Sequence, residues 1–211
     1  MRLPALATQS LYLDISWGIV VSALIVTVLS TRRASPIGGR GEVAATCAGV
    51  FVCMWLPGAA SPSFWLGLAF QHPSPLLVGL CGLQIVRVAR SRPDHRGVPV
   101  LPSGPAATLT ALGLLLYAGT FLWLPYDVYQ YGYWGFAAAT ATTVLVVFWW
   151  GLWPSSRTLC AVAASVALLH ATTRLPSGNA WDALLDPLLV LWAATVTFMT
   201  ILKSARRRVA A

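Results

Sequence analysis

Between residues 123 and 134 the chain has the sequence Trp-Leu-Pro-Tyr-Asp-Val-Tyr-Gln-Tyr-Gly-Tyr-Trp, flanked by two long apolar segments. Four tyrosines, two tryptophans and one acid are concentrated in this short stretch. Aromatic rings with a polar edge accumulate where hydrocarbon meets water. The stretch, which we call the aromatic hinge, therefore predicts one surface of a membrane protein, and we expect any binding site to lie there.

The composition indicates the same class of protein. Of 211 residues, 57% are hydrophobic and only 9% are charged, whereas soluble domains carry about 25% charged residues. A net charge of +8 would suggest nucleic acid binding in a soluble protein. Here the arginines cluster beside apolar runs, which is the pattern that sets orientation in a membrane. We therefore predict an all-α polytopic bundle, a single integral membrane domain over residues 1–211, with no nucleic acid partner.

Apolar runs of nearly membrane-spanning length predict about seven transmembrane spans, with six as the alternative. They cover approximately residues 11–30, 43–57, 76–89, 106–124, 135–153, 158–173 and 181–202. The segment between residues 58 and 75 is uncharged, and its apolar part, residues 63–70, is too short to cross a bilayer, so it predicts a short interfacial or re-entrant piece.

The positions of the basic residues predict the orientation of the bundle in the membrane. With the N-terminus outside and the C-terminus in the cytoplasm, the loops alternate between basic and non-basic, and only Arg2 and Arg174 lie on the outer side. His95 falls in a basic cytoplasmic loop, together with Arg92 and Arg96. The predicted location is the bacterial inner membrane, with a retained first span rather than a cleaved signal peptide.

This orientation gathers acids and histidines at the outer surface. Charged groups within membrane spans are costly, which makes them functional candidates. The predicted ligand-binding residues are His72, Tyr126, Asp127, Tyr129, Tyr131, His170, Arg174, Trp181, Asp182 and Asp186. The pocket would open between the aromatic hinge, the segment 71–75 and the start of the last span.

Structural alternatives remain for several of these residues. Asp182 and Asp186 lie in the first turns of a helix, where acids complement the helix dipole and cap amide groups. His170 is also interpretable as a buried structural histidine, because no second histidine lies at metal-ligand spacing. Aromatic belts occur in membrane proteins without any ligand.

Cys81 is the candidate metal-ligating residue. It is flanked by Gly79 and Gly82, which allow a close approach to the backbone, and a thiolate is a soft metal ligand. The alternative is a small apolar residue in a helix interface. The other cysteines, Cys47, Cys53 and Cys160, lie in apolar segments without a disulfide pattern.

The sequence contains no HExxH motif, no GxSxG motif and no phosphate-binding loop. A non-enzymatic function is therefore favoured, although spatially assembled sites remain open.

A small chain with a ligand-facing outer surface and a cysteine in its third span resembles the solitary S-component-like cobalamin transporters of Gram-negative bacteria. The resemblance implies a periplasmic pocket for a corrinoid, with Cys81 approaching cobalt. The leading hypothesis is a small inner-membrane transport protein, or a substrate-binding transporter subunit, surrounded by lipid. The alternative is a non-catalytic accessory or assembly protein that docks to a larger membrane complex.

Overall fold

A computed structural model describes residues 5–32, 40–90, 99–153 and 156–209. Every regular element in these ranges is helical, which confirms the predicted all-α class. The helices are α1 (Leu6–Arg32), α2 (Arg40–Met54), α3 (Pro62–Phe70), α4 (Pro75–Arg90), α5 (Ser103–Thr120), α6 (Gly135–Leu152), α7 (Arg157–Thr173), α8 (Ala180–Leu184) and α9 (Pro187–Val209). Short 3-10 turns cover Gly58–Ala60 and Tyr129–Tyr133.

The helix ends follow local chemistry. Helix α4 begins at Pro75, since a proline at the first helical position has no amide hydrogen to leave unpaired, and it ends among Arg87 and Arg90, which complement the helix dipole. Helix α7 ends where Arg174 takes a left-handed conformation with φ of 59°. Both helices lie within one residue of their predicted bounds at each end.

The chain divides into two compact units, Met1–Val100 and Leu101–Ala211. In the first unit, α1 packs against α4 and α2, and the short helix α3 contacts both α1 and α2. Val26 of α1 and Val43 of α2 form a buried pair that Cys47, Ile85 and Val88 help to cover. This division does not decide whether residues 1–211 form a single integral domain, which stays a prediction.

In the second unit, α5 packs against α9, and α6 packs against α7. Helix α8 contacts α7, α6 and the 3-10 turn of the aromatic hinge. The largest fully buried side chains here include Trp149 of α6, Leu109 of α5 and Leu189 of α9. This packing places the hinge beside the start of the last predicted span.

The last predicted span is not one continuous helix, so that detail of the prediction is wrong. Leu185 is extended, with φ of −135° and ψ of 134°, and α9 begins only at Pro187. Pro187 offers no amide hydrogen to the preceding turn, and the residue directly before it, Asp186, is disfavoured in the helical region, which favours a helix end before this point. The short helix α8 is therefore a separate element, and it contacts the 3-10 turn of the hinge.

Two described helical stretches are long and apolar enough to cross a membrane, Leu6–Thr31 and Pro187–Arg208. This finding indicates membrane association. Helix α2, with 15 residues, is about 22 Å long, which is short of a hydrocarbon core of about 30 Å. The count of seven spans and the orientation stay predictions. Several arginines on which the orientation depends, Arg2, Arg33, Arg92 and Arg96, lie outside the described residues, and so does His95.

Candidate functional site at the aromatic hinge

The hinge is an ordered turn rather than an open loop. Helix α5 ends at Thr120, and the chain then turns through Leu122, whose φ is 60°. The carboxylate of Asp127 accepts a hydrogen bond from the amide of Tyr129 at 3.0 Å, which is the local contact that aspartate commonly makes in turns. This bond starts the 3-10 turn that presents the tyrosines.

Tyr129 ties the hinge to helix α8. Its hydroxyl lies 2.9 and 2.8 Å from the two carboxylate oxygens of Asp182, to which it donates. The hydroxyl of Ser177 also donates to this carboxylate. Asp182 is thus the acceptor at the centre of a small polar cluster that joins two segments of the second unit.

Asn179 and Trp181 form a second set of hydrogen bonds to the hinge. The side-chain amide of Asn179 donates to the carbonyl of Tyr129 at 3.1 Å, and the indole of Trp181 donates to the carbonyl of Val128 at 3.2 Å. The side-chain oxygen of Asn179 accepts from the amide of Trp181 at 2.9 Å and so caps α8. Two backbone carbonyls of the hinge therefore have fixed side-chain donors.

Gly132 leaves the space that these hydrogen bonds need. A β-carbon built at this position would lie 1.7 Å from the side-chain oxygen of Asn179 and 2.5 Å from the ring of Trp181. Both distances are far inside van der Waals contact. The absence of a side chain at Gly132 is what lets Asn179 reach the hinge backbone.

Burial is the largest cause that raises the pKa of Tyr129 above its ordinary value, and the hydrogen bond and charge of Asp182 add to it. The phenol therefore remains protonated near neutral pH and acts as a donor. A proton-transfer function for this pair at neutral pH is not favoured, because a phenol whose pKa is raised is a poor acid.

Other rings of the hinge are exposed. Trp123 and Tyr126 are 80% and 70% exposed, and Trp134 is 62% exposed. The rings of Tyr131 and Trp134 meet edge to face with centroids 5.5 Å apart. The anchored residues Tyr129 and Trp181 thus support a surface of aromatic rings that can stack on a flat or amphipathic molecule.

The remaining predicted residues of the second unit have local contacts. Asp186 accepts from the amide of Leu189 at 2.8 Å, which caps helix α9. His170 is buried, and its Nδ1 lies 3.0 Å from the carbonyl of Leu175. Since a carbonyl only accepts, Nδ1 carries the proton. The backbone amide of Arg174 donates to the carbonyl of His170 and ends α7. The capping interpretation of Asp186 is confirmed.

His72 lies in the first unit, where the segment after α3 is attached to α1. The hydroxyl of Tyr12 donates to the carbonyl of Pro73 at 2.7 Å, and the indole of Trp17 donates to the carbonyl of Gln71 at 3.0 Å. The ring of His72 stacks on Tyr12. Burial lowers the pKa of His72, and a hydrogen bond with the backbone of Gln9 opposes that change.

Cys81 lies in α4 and is only 7% exposed. In the described part of the chain no group of three or more potential metal ligands comes together. Each unit has an apolar cavity, of about 700 Å³ between α1, α2 and α3, and of about 320 Å³ between α5, α6 and α8. Neither Cys81 nor Tyr129 lines either of these two cavities.

Three residues of the hinge cluster were not predicted, namely Ser177, Asn179 and Gly132. The turn sequence Pro176-Ser177-Gly178-Asn179 before an apolar helix contains a signal for Asn179, because asparagine is a preferred helix cap. The hydroxyl of Ser177 donates to Asp182 only five positions away. The contacts of Gly132 with Asn179 and Trp181 join residues far apart in the chain, and no local pattern indicates them.

Comparisons of the chain with protein-family models, with curated proteins and with solved structures find no match in any of the three. We therefore assign no family to it.

Proposed function

We propose that the chain is a small multi-pass protein of the bacterial inner membrane that binds an amphipathic small molecule at the aromatic hinge, as a transport protein or as the substrate-binding subunit of a transporter. In this proposal α1, α2, α4, α5, α6, α7 and the α8–α9 pair are the seven spans. The hinge faces the extracytoplasmic side, and the C-terminal end of α9 faces the cytoplasm.

Exposed apolar side chains support the membrane placement. All seven long helices carry a large apolar residue that is at least 42% exposed, and examples are Leu24, Val52, Val86, Leu114, Val147, Leu168 and Leu191. Soluble proteins rarely expose apolar surface so widely. Hydrocarbon is the solvent that such a surface favours, and the basic cluster Arg206, Arg207 and Arg208 at the end of α9 is typical of a cytoplasmic boundary.

The observation that carries the binding proposal is a difference among the aromatic residues at the hinge. Some are held by hydrogen bonds, and others are exposed. Tyr129 and Trp181 are hydrogen-bonded into the cluster around Asp182 and Asn179, whereas Tyr126, Tyr131 and Trp134 remain exposed. Rings on a fixed backbone lose little conformational freedom when they bind, which favours affinity for flat or amphipathic ligands.

Ligand binding is tested with the purified protein in detergent. We expect cyanocobalamin, or another member of a panel of vitamins, to raise the melting temperature in a concentration-dependent way. Replacing Trp134 with alanine should remove the shift, whereas Trp55→Ala, which removes an exposed ring of the first unit, should leave it unchanged. A panel without any shift, or an equal loss in both variants, would count against the proposal.

The membrane orientation is tested separately. Single cysteines replace Tyr126 and Lys203 in a chain whose four native cysteines are changed to serine. An impermeant maleimide should label position 126 in intact spheroplasts and position 203 only after the membrane is opened. Labelling of both positions from the same side would disprove the proposed topology.

One observation favours the second candidate, a non-catalytic accessory protein of a membrane complex. The carboxylates of Asp127, Asp182 and Asp186 accept internal hydrogen bonds, so the hinge surface is dominated by rings rather than by charge. Such a surface also suits a protein partner, because aromatic residues are enriched in interface cores. A stoichiometric protein partner that co-purifies, and that Trp134→Ala releases, would favour this candidate over ligand binding.

A further inference from the structure

Asp14 places a carboxyl group inside α1. It lies within the stretch Leu6–Thr31, which is long and apolar enough to cross a membrane, about 12 Å from the start of that stretch at about 1.5 Å per residue. Its side chain is half-buried. An ionised carboxylate surrounded by hydrocarbon is costly, so such a group pairs with a cation or takes up a proton.

The basic side chains of the first unit lie far from Asp14 along the helices, as far as the structure describes them. They stand at the last residue of α1, at the first residue of α2 and in the last turn of α4, namely Arg32, Arg40, Arg87 and Arg90. Arg32 is about 27 Å from Asp14 along α1. The described arginines of this unit therefore do not supply the carboxyl group with a partner.

The other ionisable groups near this end of the unit carry no positive charge at neutral pH. Helix α3 contains none. Those on α1, α2, α4 and the segment before α4 are Tyr12, Glu42, Cys47, Cys53, His72 and Cys81. His72 stacks on Tyr12, and burial lowers its pKa, which keeps the imidazole neutral at pH 7.

Four oxygen atoms from three helices form a chain that ends on Asp14. The carbonyl oxygen of Met54, the last residue of α2, lies 2.5 Å from the hydroxyl of Ser61. The hydroxyls of Ser61 and Ser63 are 2.8 Å apart, and that of Ser63 lies 2.5 Å from a carboxyl oxygen of Asp14. Both serines belong to the start of α3 and are buried, with 4% and 2% exposed.

The number of protons fixes the direction of this chain. A carbonyl oxygen only accepts, so Ser61 donates its single hydroxyl proton to Met54. The contact between the two serines then uses the proton of Ser63, and a longer contact of 3.1 Å between Ser63 and the Met54 carbonyl competes for the same proton. The third contact is complete only if Asp14 carries a proton and donates it to Ser63.

Loss of that proton leaves two protons for three contacts. An ionised Asp14 attracts the proton of Ser63, and one of the remaining contacts, between the two serines or between Ser61 and Met54, then lacks a hydrogen. A buried contact between two acceptors is unfavourable, so it opens. Ser61 also accepts from the amide of Ser63 and so caps α3, which makes the position of α3 depend on the proton.

From the absence of a described cationic partner and from this proton count we infer that Asp14, Ser61, Ser63 and the Met54 carbonyl form a proton-binding site. Release of the proton to water at the partly exposed side of Asp14 loosens α3 from α1 and α2, and no bond between heavy atoms changes. The inference rests on the proposed membrane placement and adds a coupling ion to the proposed transport function. Its tests use no hinge ligand, so its failure would leave the binding proposal standing.

Infrared spectroscopy of the protein in liposomes tests the proton directly. At pH 7 we expect the carbonyl band of a protonated carboxyl group, which moves in heavy water and disappears in Asp14→Asn. Asp127→Asn should keep the band, because Asp127 is exposed and accepts from the amide of Tyr129. A spectrum without this band, or an equal loss in both variants, would overturn the inference.

Ser63→Ala tests the chain without removing the carboxyl group. The Asp14 band should no longer occur at its original position, because the carboxyl group loses the hydroxyl that accepts its proton. Ser165→Ala is the control, since this exposed hydroxyl of α7 donates to the carbonyl of Ala161. An unchanged band in Ser63→Ala would contradict the proposed chain.

Hydrogen exchange of the peptide Pro62–Phe70 between pH 5 and 9 tests the coupling to α3. Division of each rate by the rate in Asp14→Asn at the same pH removes the intrinsic effect of pH, because asparagine stays neutral. We expect this ratio to rise with pH by roughly two- to tenfold, as for the loss of one hydrogen bond. The peptide Arg157–Thr173 should give a constant ratio, and a constant ratio for both peptides would disprove the coupling.

Sodium is the alternative occupant, because carboxyl, hydroxyl and carbonyl oxygens also suit hard cations. The infrared measurement is therefore repeated in sodium chloride and in choline chloride at equal ionic strength. Equal bands in the two salts are expected for a proton site. A band that sodium removes would identify a sodium site and overturn the assignment of the proton.

Discussion

The hydroxyl of Tyr129 lies 2.9 and 2.8 Å from the two carboxylate oxygens of Asp182 and donates its single proton to this carboxylate, across 53 positions of sequence. Asp182 also accepts from Ser177. This carboxylate therefore holds the aromatic hinge against helix α8, and the hinge geometry depends on it.

Replacing Asp182 with asparagine should destabilise the second unit. The neutral amide keeps the shape but loses the charge-assisted character of two hydrogen bonds, which predicts a loss of about 1–2 kcal/mol in the free energy of unfolding. Chemical denaturation in detergent measures it. The control is Asp127→Asn, because asparagine can accept the same bond from the amide of Tyr129, so an equal loss there would refute the role of Asp182.

The protein should lose stability in alkali through Tyr129. The folded state raises the pKa of this phenol, mainly through burial, so the folded protein holds its proton more tightly than the unfolded chain. The resulting contribution to stability is fully present below the unfolded pKa of about 10 and is lost as the pH rises above it. Melting temperatures between pH 8 and 11 should fall less steeply in Tyr129→Phe, and parallel profiles would contradict the prediction.

Gly132→Ala should disrupt the hinge. Its added β-carbon would overlap the side-chain oxygen of Asn179 at 1.7 Å, so Asn179 or the hinge backbone must move. We expect a loss of about 2–4 kcal/mol, in the range of strained or overpacked substitutions. Gly151→Ala is the control, because Gly151 of α6 faces open space and alanine favours helix by about 0.5–1 kcal/mol. Similar stabilities of the two variants would refute the prediction.

The corrinoid version of the proposed function makes a prediction for Cys81. If its thiolate binds cobalt, Cys81→Ser should weaken cobalamin binding by at least tenfold and change the visible spectrum of the bound corrinoid. Because Cys81 is only 7% exposed, binding would also have to open the packing around α4. Cys160→Ser is the control for loss of a buried thiol, and unchanged affinity and spectrum in Cys81→Ser would exclude cobalt ligation.

Local sequence patterns are sufficient to place several of the helices. Apolar runs bounded by proline, glycine and arginine predicted α4 and α7 to within one residue at each end, because the chemistry of helix ends is local. The break before α9 also has a local signal, Pro187. The apolar residues around it nevertheless favour the prediction of one continuous span.

Which side chains meet depends instead on how the helices pack. The chain contains Tyr129 and Asp182 in any conformation, and their distance of under 3 Å arises only when α8 packs beside the hinge. Helix α2 is a second example. The spacing of its small residues is visible in the sequence. That Val43 is buried and Gly49 is exposed depends on how α1 and α4 pack against the helix. Local pattern sets helix bounds because its interactions span a few residues, and contacts across tens of residues are set by packing.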